Sequence, residues 1–318
     1  MSDSNLPSLR MGVCGVGALG QHHARILSTL PGVQLAGVHD ADPARAAEIA
    51  AKHGVRAFAS LEDLAASVDA ACVVVRTDMH HAVATRVLQA GVHRLIEKPI
   101  AATTAEAEDL VRLAQERNLI LQVGHIERFN PVLSVLEARP AAPRFIEAHR
   151  LAPYPPPREG LHPRGTEVSV VLDLMIHDIE VILHLVRSEV TEVRAVGIPV
   201  LSPSEDIANV RLEFANGCVA NITASRISPE RMRKIRVFFD DAYLSLDYQD
   251  QTGELHRRTA TGIVREEIPI DKGDALTLEL SSFTDCVRRR GTPIVSGEHA
   301  SRALRLAVQI TQLVRGGR

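Results

Sequence analysis

The sequence predicts an α/β fold with two domains: an N-terminal domain on a parallel sheet, then a C-terminal α+β domain on a mostly antiparallel open sheet. The chain has 318 residues, whereas a single hydrophobic core usually stops growing near roughly 250–300 residues. Residues 9–123 alternate short apolar runs with helical periodicity, as in a parallel sheet covered by helices. Beyond residue 190, apolar runs follow one another closely, as antiparallel strands do. The predicted domains are 1–123 and 124–318.

In the first domain, apolar runs predict strands and apolar residues at helical spacing predict the helices between them. The predicted strands are Leu9–Cys14, Val33–His39, Ala71–Val75, His93–Ile96 and Leu119–Val123. The predicted helices are Leu19–Leu30, Pro43–Lys52, His80–Ala90 and Thr104–Arg117. Thr103 and Glu106 have the spacing of a capping box, which marks where the last of these helices starts.

In the second domain, a helix is predicted over Glu167–Val186, and the strands follow it. They are Val190–Gly197, Ile207–Phe214, Cys218–Ser225, Lys234–Phe239 and Tyr243–Asp247, with turns at 215–217 and 240–241. Two helices, Ala275–Arg288 and Glu298–Val314, finish the chain, and we expect the C-terminal one to be able to pack back on the first domain. The open sheet needs one covered face, and its other face suits packing against a second subunit in a homo-dimer or homo-tetramer.

Composition excludes several classes of partner. Hydrophobic residues make up 45% of the chain and charged residues 24%, which is ordinary for a folded globular protein. A formal net charge of -3 gives no reason to expect nucleic acid or an anionic membrane as partner. The four cysteines contain no CxxC pair, and no N-terminal signal or membrane-spanning apolar run is visible. We therefore expect a cytoplasmic protein.

A glycine-rich loop follows the first predicted strand and opens the first helix: Gly15-Val16-Gly17-Ala18-Leu19-Gly20. This is the GxGxxG pattern of a Rossmann dinucleotide site. Gly15 would permit the tight turn, Gly17 would let the backbone approach a pyrophosphate, and Gly20 would let the helix pack closely on the sheet. The loop residues Gly15, Val16, Gly17, Ala18, Leu19 and Gly20 are predicted cofactor contacts.

The second predicted strand ends at Asp40, which decides the expected cofactor. A carboxylate there can accept hydrogen bonds from ribose hydroxyls and would repel a 2′-phosphate, so the sequence favours NAD over NADP. Two observations leave this open: Asp40 also suits a turn before Ala41-Asp42-Pro43, and Arg45 could weaken the preference.

Two further motifs carry a family resemblance. Glu97-Lys98-Pro99 ends the fourth strand, and Asp173-Leu174-Met175-Ile176-His177-Asp178 lies in the long helix. Together with the glycine loop, they resemble the Gfo/Idh/MocA family of sugar and polyol oxidoreductases. The resemblance implies NAD-dependent oxidation of a secondary hydroxyl, with Lys98, Asp173 and His177 as catalytic residues and Glu97 and Lys98 beside the cofactor.

Physical chemistry supports those roles. Lys98 ends a parallel strand, where such sheets bind ligands, and its ammonium can stabilise a developing alkoxide. Asp173 and His177 are four residues apart, so they project from one face of a helix. His177 is the candidate general base, and Asp173 would orient it or contact a substrate hydroxyl. An ordinary buried Asp–His pair is the alternative. Hydride transfer to NAD needs no metal, so none is expected.

The chain departs from the family pattern at one place. Members commonly carry a Thr-Pro pair after the third strand, where this chain has Arg76-Thr77 before Asp78. Arg76 and Thr77 are predicted cofactor contacts, and Arg76 could instead pair with a local acid.

The segment Val123-Gly124-His125-Ile126-Glu127-Arg128-Phe129-Asn130-Pro131 resembles a narrower branch of the family. That branch oxidises the 3-hydroxyl of UDP-N-acetylglucosamine for diamino-sugar lipid A synthesis, where an aminotransferase acts next. The predicted substrate contacts are Lys98, His125, Arg128, Arg150, Tyr154, Asp173 and His177. The alternatives are an exposed Glu127–Arg128 ion pair, a loop-packing Tyr154, a free polyol or inositol-type substrate, and an NAD-binding regulator without catalysis.

Overall fold

The computed structural model describes residues 8–139, 141–157, 165–166 and 168–316 and divides the chain into two compact units. The first unit is Met1–Ile126 with Asp274–Ser301, and the second is Glu127–Gly273 with Arg302–Arg318. The first unit thus extends slightly beyond the predicted boundary at residue 123. The penultimate helix and the first residues of the C-terminal helix, up to Ser301, belong to the first unit, and the rest of the C-terminal helix belongs to the second. The apolar residues Leu280, Phe283 and Val287 of the penultimate helix are buried in the core of the first unit.

The strands and helices are numbered in chain order. The strands are β1 (Leu9–Cys14), β2 (Val33–His39), β3 (Arg56–Ala57), β4 (Ala70–Val73), β5 (His93–Glu97), β6 (Leu121–Gly124), β7 (Phe145–Leu151), β8 (Val190–Ile198), β9 (Ile207–Phe214), β10 (Val219–Ser225), β11 (Met232–Phe238), β12 (Ala242–Asp247), β13 (Thr252–Thr259) and β14 (Gly262–Ile268). The α-helices are α1 (Gly20–Leu27), α2 (Pro43–His53), α3 (Leu61–Ser67), α4 (Thr77–Gln89), α5 (Thr104–Glu116), α6 (Val132–Glu137), α7 (Ile176–Val186), α8 (Ala275–Arg289) and α9 (Gly297–Gly316).

The sheet of the first unit has the order β3-β2-β1-β4-β5-β6, and every pair is parallel. The chain first builds outward from β1 on one side and then continues on the other, starting with β4. Open parallel sheets bind ligands outside the carboxyl ends of the two strands at such a switch point. The predicted parallel sheet is confirmed, and the predicted capping box of Thr103 and Glu106 is present at α5.

The sheet of the second unit has the order β14-β13-β12-β11-β7-β10-β9-β8. Only the β7–β10 pair is parallel, so the predicted mostly antiparallel sheet is confirmed. Buried and partly exposed residues alternate along β9 and β10, as expected for strands with one covered face. Strands β7, β13 and β14 were not predicted.

The helix predicted over Glu167–Val186 consists of two parts. A π-helical segment, Val171–Met175, leads directly into α7. Its predicted start at Glu167 lies outside the described residues. π-helical turns close i→i+5 hydrogen bonds and occur frequently at functional sites. Within the part of the chain that the structure describes, no helix is long and apolar enough to cross a bilayer.

Candidate active site

The glycine loop lies at the carboxyl end of β1, and its three glycines differ in what surrounds them. Gly15 has a φ of +86°, and a Cβ there would lie 2.4 Å from the carbonyl oxygen of Val74. A Cβ on Gly20 would lie 1.9 Å from the carbonyl oxygen of Gly15. By contrast, a Cβ on Gly17 would meet nothing within 4 Å. Gly15 and Gly20 therefore make the loop compact, and Gly17 leaves its outer side open.

Among the residues that the structure describes, no side chain caps the N-terminus of α1 at Leu19. The first N–H groups of a helix have no intrahelical partner, and together with the helix dipole they favour an anion. A glycine loop with open outer space in front of an uncapped helix is the arrangement that accepts a dinucleotide pyrophosphate.

Asp40 holds this loop from the neighbouring strand. Its Oδ2 accepts a hydrogen bond from the backbone N–H of Val16 at 2.7 Å, and its Oδ1 accepts one from Asp42 at 2.9 Å. Arg45 donates from Nε to the carbonyl oxygen of Val16 at 2.9 Å and from Nη2 to Gln21 at 3.2 Å. The Arg45 side chain therefore braces the glycine loop. Because its guanidinium is engaged there, Arg45 no longer argues against the preference for NAD over NADP.

Exchanging Asp40 for serine is expected to shift cofactor preference toward NADP. The exchange removes a negative charge that would repel a 2′-phosphate, and such a repulsion is worth about 1–4 kcal/mol at about 4 Å. The ratio of kcat/KM for NAD to that for NADP should fall by about tenfold or more. Asp42→Ser is the matched control, because it removes an equal charge two residues away and serine still caps α2. An equal change in both variants would contradict the assignment.

Arg76 and Thr77 lie at the start of α4, just after β4. Thr77 is the first residue of the helix. Arg76 pairs with Asp78 at 2.8 Å, and its side chain is 82% exposed. Arg76 thus forms the ion pair with a nearby acid that was the alternative to cofactor binding. Its contact with the cofactor stays a prediction.

Glu97 is the last residue of β5, and Lys98 follows it directly. Nε2 of His23 lies 3.0 Å from Oε1 of Glu97, and Oε2 of Glu97 accepts from the backbone N–H of Lys98 at 3.2 Å. Burial raises the pKa of Glu97, but the His23 hydrogen bond and the Lys98 charge outweigh it and hold that pKa below its ordinary value. The Lys98-Pro99 peptide is cis. Glu97 thus fixes the backbone turn that carries Lys98.

Two histidines that the sequence did not assign to the site support this strand end. His23 is buried on α1 against Glu97. His80 is buried on α4, with Nδ1 2.8 Å from the carbonyl oxygen of Pro99 and Nε2 3.1 Å from that of Val75. The signal that could have found them is a histidine on the buried face of a helix that follows a parallel strand.

A second carboxyl group lies in the core of the first unit near Glu97. Glu279 on α8 is fully buried, and neither carboxyl oxygen has a hydrogen-bond partner among the described residues. Burial and the charge of Glu97 raise the pKa of Glu279 well above its ordinary value. Glu279 is therefore expected to be protonated under conditions where Glu97 is ionised.

Glu279→Gln is expected to stabilise the protein at pH 8 and to change little at pH 4. The folded state retains the Glu279 proton, whereas the unfolded chain releases it above its ordinary pKa of 4.5. The wild type therefore loses stability as pH rises from there toward the folded pKa, by about 1.4 kcal/mol per pH unit, and glutamine has no proton to lose. Urea midpoints at both pH values test this, with the exposed Glu116→Gln as control. Equal midpoints for variant and wild type at pH 8 would contradict it.

The second unit carries Asp173 in the π-helical segment and His177 in the first turn of α7. Both side chains are partly exposed. Gly165 packs against the Asp173 carboxylate: a Cβ on Gly165 would lie 2.3 Å from Oδ2. Asp173 and His177 thus lie on a π-helical turn that leads into an α-helix, rather than on one continuous α-helix as predicted, and their pairing stays a prediction.

Next to His177, a network of buried charges joins α7 to β7 and to the 3-10 turn Ile126–Phe129. Arg150 donates to Asp178 at 2.7 and 3.1 Å and to Glu127 at 2.7 Å. All three side chains are 5% exposed or less. Burial would lower the pKa of Arg150, but the charges of Asp178 and Glu127 outweigh it and raise that pKa. Burial raises the pKa of Asp178, and the charge of Glu127 adds to the effect because two carboxylates share one arginine.

The predicted substrate contacts of the second unit take different positions. Arg128 pairs with Glu180 at 2.8 Å, and both side chains are 3% exposed. Arg128 and Arg150 are therefore held in internal ion pairs, and their predicted contact with a substrate stays a prediction. The alternative of an exposed Glu127–Arg128 pair is wrong, because both residues are buried. Tyr154 lies in an irregular segment and is partly exposed. In the first unit, His125 is buried, and its backbone N–H donates to Val123 at 2.8 Å.

Comparison with known families matches both units. Residues 9–125 match the model described as oxidoreductase family, NAD-binding Rossmann fold, and residues 141–245 match the GFO/IDH/MocA C-terminal domain. The chain belongs to the Gfo/Idh/MocA oxidoreductase family. Its cofactor is NAD, which the open glycine loop, the uncapped α1 and the Asp40 carboxylate fit.

Individual relatives match along nearly the whole chain. UDP-N-acetylglucosamine 3-dehydrogenase of Acidithiobacillus ferrooxidans is 40% identical over 95% of this chain and 96% of its own length. Its solved structure superposes with a TM-score of 0.91 over 97% of this chain and 98% of its own. The scyllo-inositol 2-dehydrogenase (NAD(+)) of Bacillus subtilis is 27% identical over 97% of this chain and 95% of its own length. A probable dehydrogenase from Thermotoga maritima, 24% identical, shares the fold with a TM-score of 0.83, covering 98% of each chain.

Proposed function

We propose that this oxidoreductase oxidises the 3-hydroxyl of UDP-N-acetylglucosamine to a ketone, with NAD as the acceptor. The observation that carries the proposal is the similarity to a UDP-N-acetylglucosamine 3-dehydrogenase over almost the full length of both chains. The inositol dehydrogenase is more distant over a similar length. The product ketone suits an aminotransferase as the next enzyme, which would place the reaction in diamino-sugar lipid A synthesis.

Lys98, Asp173 and His177 are the proposed catalytic residues. His177 takes the hydroxyl proton onto an imidazole nitrogen, because neutral imidazole is a competent base near neutral pH. Lys98 stabilises the negative charge that develops on the same oxygen, and the Glu97 carboxylate fixes the backbone that carries it. Asp173 orients His177 or holds a sugar hydroxyl. NAD, when bound, takes up the carbon-bound hydrogen with its two electrons.

Substrate recognition is assigned to fewer residues than the sequence suggested. His125 and Tyr154 remain proposed contacts, with Tyr154 as a stacking surface for the uracil ring. Arg128 and Arg150 are proposed as scaffold, since each is buried and held by carboxylates within the second unit. Their role is to fix the residues around His177.

The deciding experiment measures NADH formation with UDP-N-acetylglucosamine beside a panel of free sugars and inositols. An aminotransferase with glutamate, or a ketone trap, removes the product and prevents back-pressure. Turnover confined to the nucleotide sugar, with a ketone at carbon 3 by NMR, supports the proposal. Turnover confined to free polyols would overturn the substrate and keep the catalytic residues.

A free polyol or inositol-type dehydrogenase is the second candidate. It is favoured by the 27% identity to scyllo-inositol 2-dehydrogenase, which extends over both units. The same lysine and histidine would serve it, because the chemistry at a secondary alcohol is identical. An NAD-binding regulator is a third class, and it would bind NAD without turning over any member of the panel.

We also propose a cytoplasmic homo-dimer or homo-tetramer. All four cysteines are free thiols, which suits a reducing compartment. The open sheet carries an aromatic stack, with ring centroids of Phe238 and Tyr243 4.9 Å apart and those of Tyr243 and His256 4.2 Å apart. Light scattering of the wild type and of Tyr243→Ser measures the assembly, and a monomeric wild type would overturn it.

A further inference from the structure

We propose that Arg226 and Gly165 are positioning residues for Asp173. Arg226 fixes the backbone of Gly165, and that backbone limits where the Asp173 carboxylate can lie. The inference rests on the proposed role of Asp173 in the reaction. All three residues belong to the second unit.

Gly165 touches the carboxylate as no other residue type could. Its φ is +82°, a conformation that favours glycine. A Cβ built there would lie 2.3 Å from Oδ2, 2.8 Å from Cγ and 3.3 Å from Oδ1 of Asp173. A glycine at this position therefore lets the backbone form one wall of the space that the carboxylate occupies.

Arg226 fixes the position of the Gly165 backbone. The side chain is 2% exposed, and its guanidinium makes five hydrogen bonds. Nη1 donates to the carbonyl oxygens of Gly165 at 2.6 Å and Val168 at 2.9 Å. Nη2 donates to Ser202 and Ser204, each at 2.8 Å, and Nε donates to Asp206 at 2.8 Å. A guanidinium has five N–H groups, so these contacts use its full capacity.

Asp206 in turn anchors Arg226. Its carboxylate accepts backbone N–H groups of Val200, Leu201 and Ser202 at 2.8, 2.6 and 2.9 Å. Burial raises the pKa of Asp206, but the hydrogen bonds from Ser202 and Arg226 outweigh it and hold that pKa far below its ordinary value. Asp206 is therefore ionised at neutral pH, and its carboxylate anchors the Arg226 guanidinium as a buried ion pair.

The loop of residues 200–206, which contains Asp206, also fixes the backbone that leads into the π-helical segment. Ser204 donates its hydroxyl to the carbonyl oxygen of Val168 at 2.9 Å, and the N–H of Val170 donates to the carbonyl of Glu205 at 2.9 Å. The backbone that leads into Asp173 is thus fixed by residues distant in sequence. Catalytic groups must be held within about 0.5 Å of their productive geometry, and this arrangement supplies that restraint for Asp173.

The test compares two glycines with the same backbone conformation. Gly165→Ala places a methyl group against Asp173, whereas Gly217 also has a φ of +82° but open space around its Cβ. Both alanine variants carry the same backbone strain, so their Tm values report that cost. We expect kcat to fall by about 10–100-fold in Gly165→Ala, since a misplacement of about 1 Å costs on that order. In Gly217→Ala, kcat should stay at the wild-type value. The assay uses whichever hydroxyl substrate the wild type oxidises fastest.

Two further variants separate positioning from general disturbance. In an Asp173→Asn background, Gly165→Ala should cost clearly less than in the wild type, because contacting residues that act together are not additive. Arg226→Lys keeps a cation beside Asp206 but has three donors in place of five, and should lower kcat with little change in the Kd for NAD. Equal kcat in the two glycine variants, or full additivity with Asp173→Asn, would overturn the inference. A wild-type kcat in Asp173→Asn would overturn it together with the catalytic role of Asp173, whereas the wrong substrate in the panel affects only the proposed function.

Discussion

Replacing Lys98 with methionine is expected to lower kcat by about 10²–10⁴-fold while the Kd for NAD changes by less than about tenfold. Methionine fills a similar volume and cannot carry charge, so the alkoxide loses its stabilising cation. We expect the glycine loop and Asp40 to supply most of the binding free energy for NAD, so the loss of the Lys98 charge should change that Kd little. Stopped-flow NADH formation gives kcat, and calorimetry gives the Kd for NAD.

The controls separate chemistry from folding. Lys52→Met makes the same exchange at an exposed lysine near the end of α2 and should retain wild-type kcat. His177→Asn should lose turnover to a similar degree, because the base is removed and an amide cannot take the proton. Lys98→Arg keeps the charge and should retain more activity than Lys98→Met. Wild-type turnover in Lys98→Met would show that this lysine is not catalytic and would reopen the regulator interpretation.

Much of the first unit is predictable because its signals are local. Each strand–loop–helix unit is formed by residues within a few tens of positions of one another. Apolar runs and glycines therefore predict β1, β2 and the loop at Gly15–Gly20. Lys98 was assigned to the site through the resemblance carried by Glu97-Lys98-Pro99, and its position directly after a buried strand supports that assignment. The short α3 and the two-residue β3 were missed, because elements of that length show less than a full period.

The second unit is less predictable for physical reasons. Strand β7 contains Glu147 and Arg150, and a buried arginine breaks the apolar alternation that marks a strand. Strands β13 and β14 are largely exposed, so their sequences lack the alternating apolar residues that mark a buried face. The partners of Arg150 are distant in sequence, and one sequence contains no signal for such pairs. Gly165 and Arg226 were missed for the same reason, since their relation to Asp173 exists only in the folded chain.

Arg150→Met should unfold the second unit at much lower denaturant than the wild type, by a loss of about 3–5 kcal/mol in the free energy of unfolding. The exchange leaves Glu127 and Asp178 buried side by side with no cation between them. Arg233 compensates only in part, because its Nη1 lies 3.8 Å from Glu127 and its side chain is 48% exposed. Urea unfolding followed by circular dichroism measures the loss.

The triple variant Arg150→Met, Asp178→Leu, Glu127→Gln is the matched control. Removing a whole buried charge cluster is often neutral, whereas removing one member is costly, so the triple variant should be more stable than Arg150→Met alone. Arg150→Lys should fall between wild type and methionine, since a lysine cannot make the forked contact with Asp178.

The Arg150→Met variant also decides between two roles for Arg150, namely contact with the substrate and support of the scaffold. A diphosphate ligand would make Arg150→Met a stable protein with a raised KM for the nucleotide sugar and an unchanged urea midpoint. The buried ion pairs instead require that the midpoint falls first and that kcat falls with it, because Asp178 directly follows His177 on α7. A stable Arg150→Met protein with only its KM changed would return Arg150 to the substrate and remove the scaffold role. A destabilised variant whose stability recovers in the triple exchange would leave Arg150 as the cation that holds α7, and with it the general base.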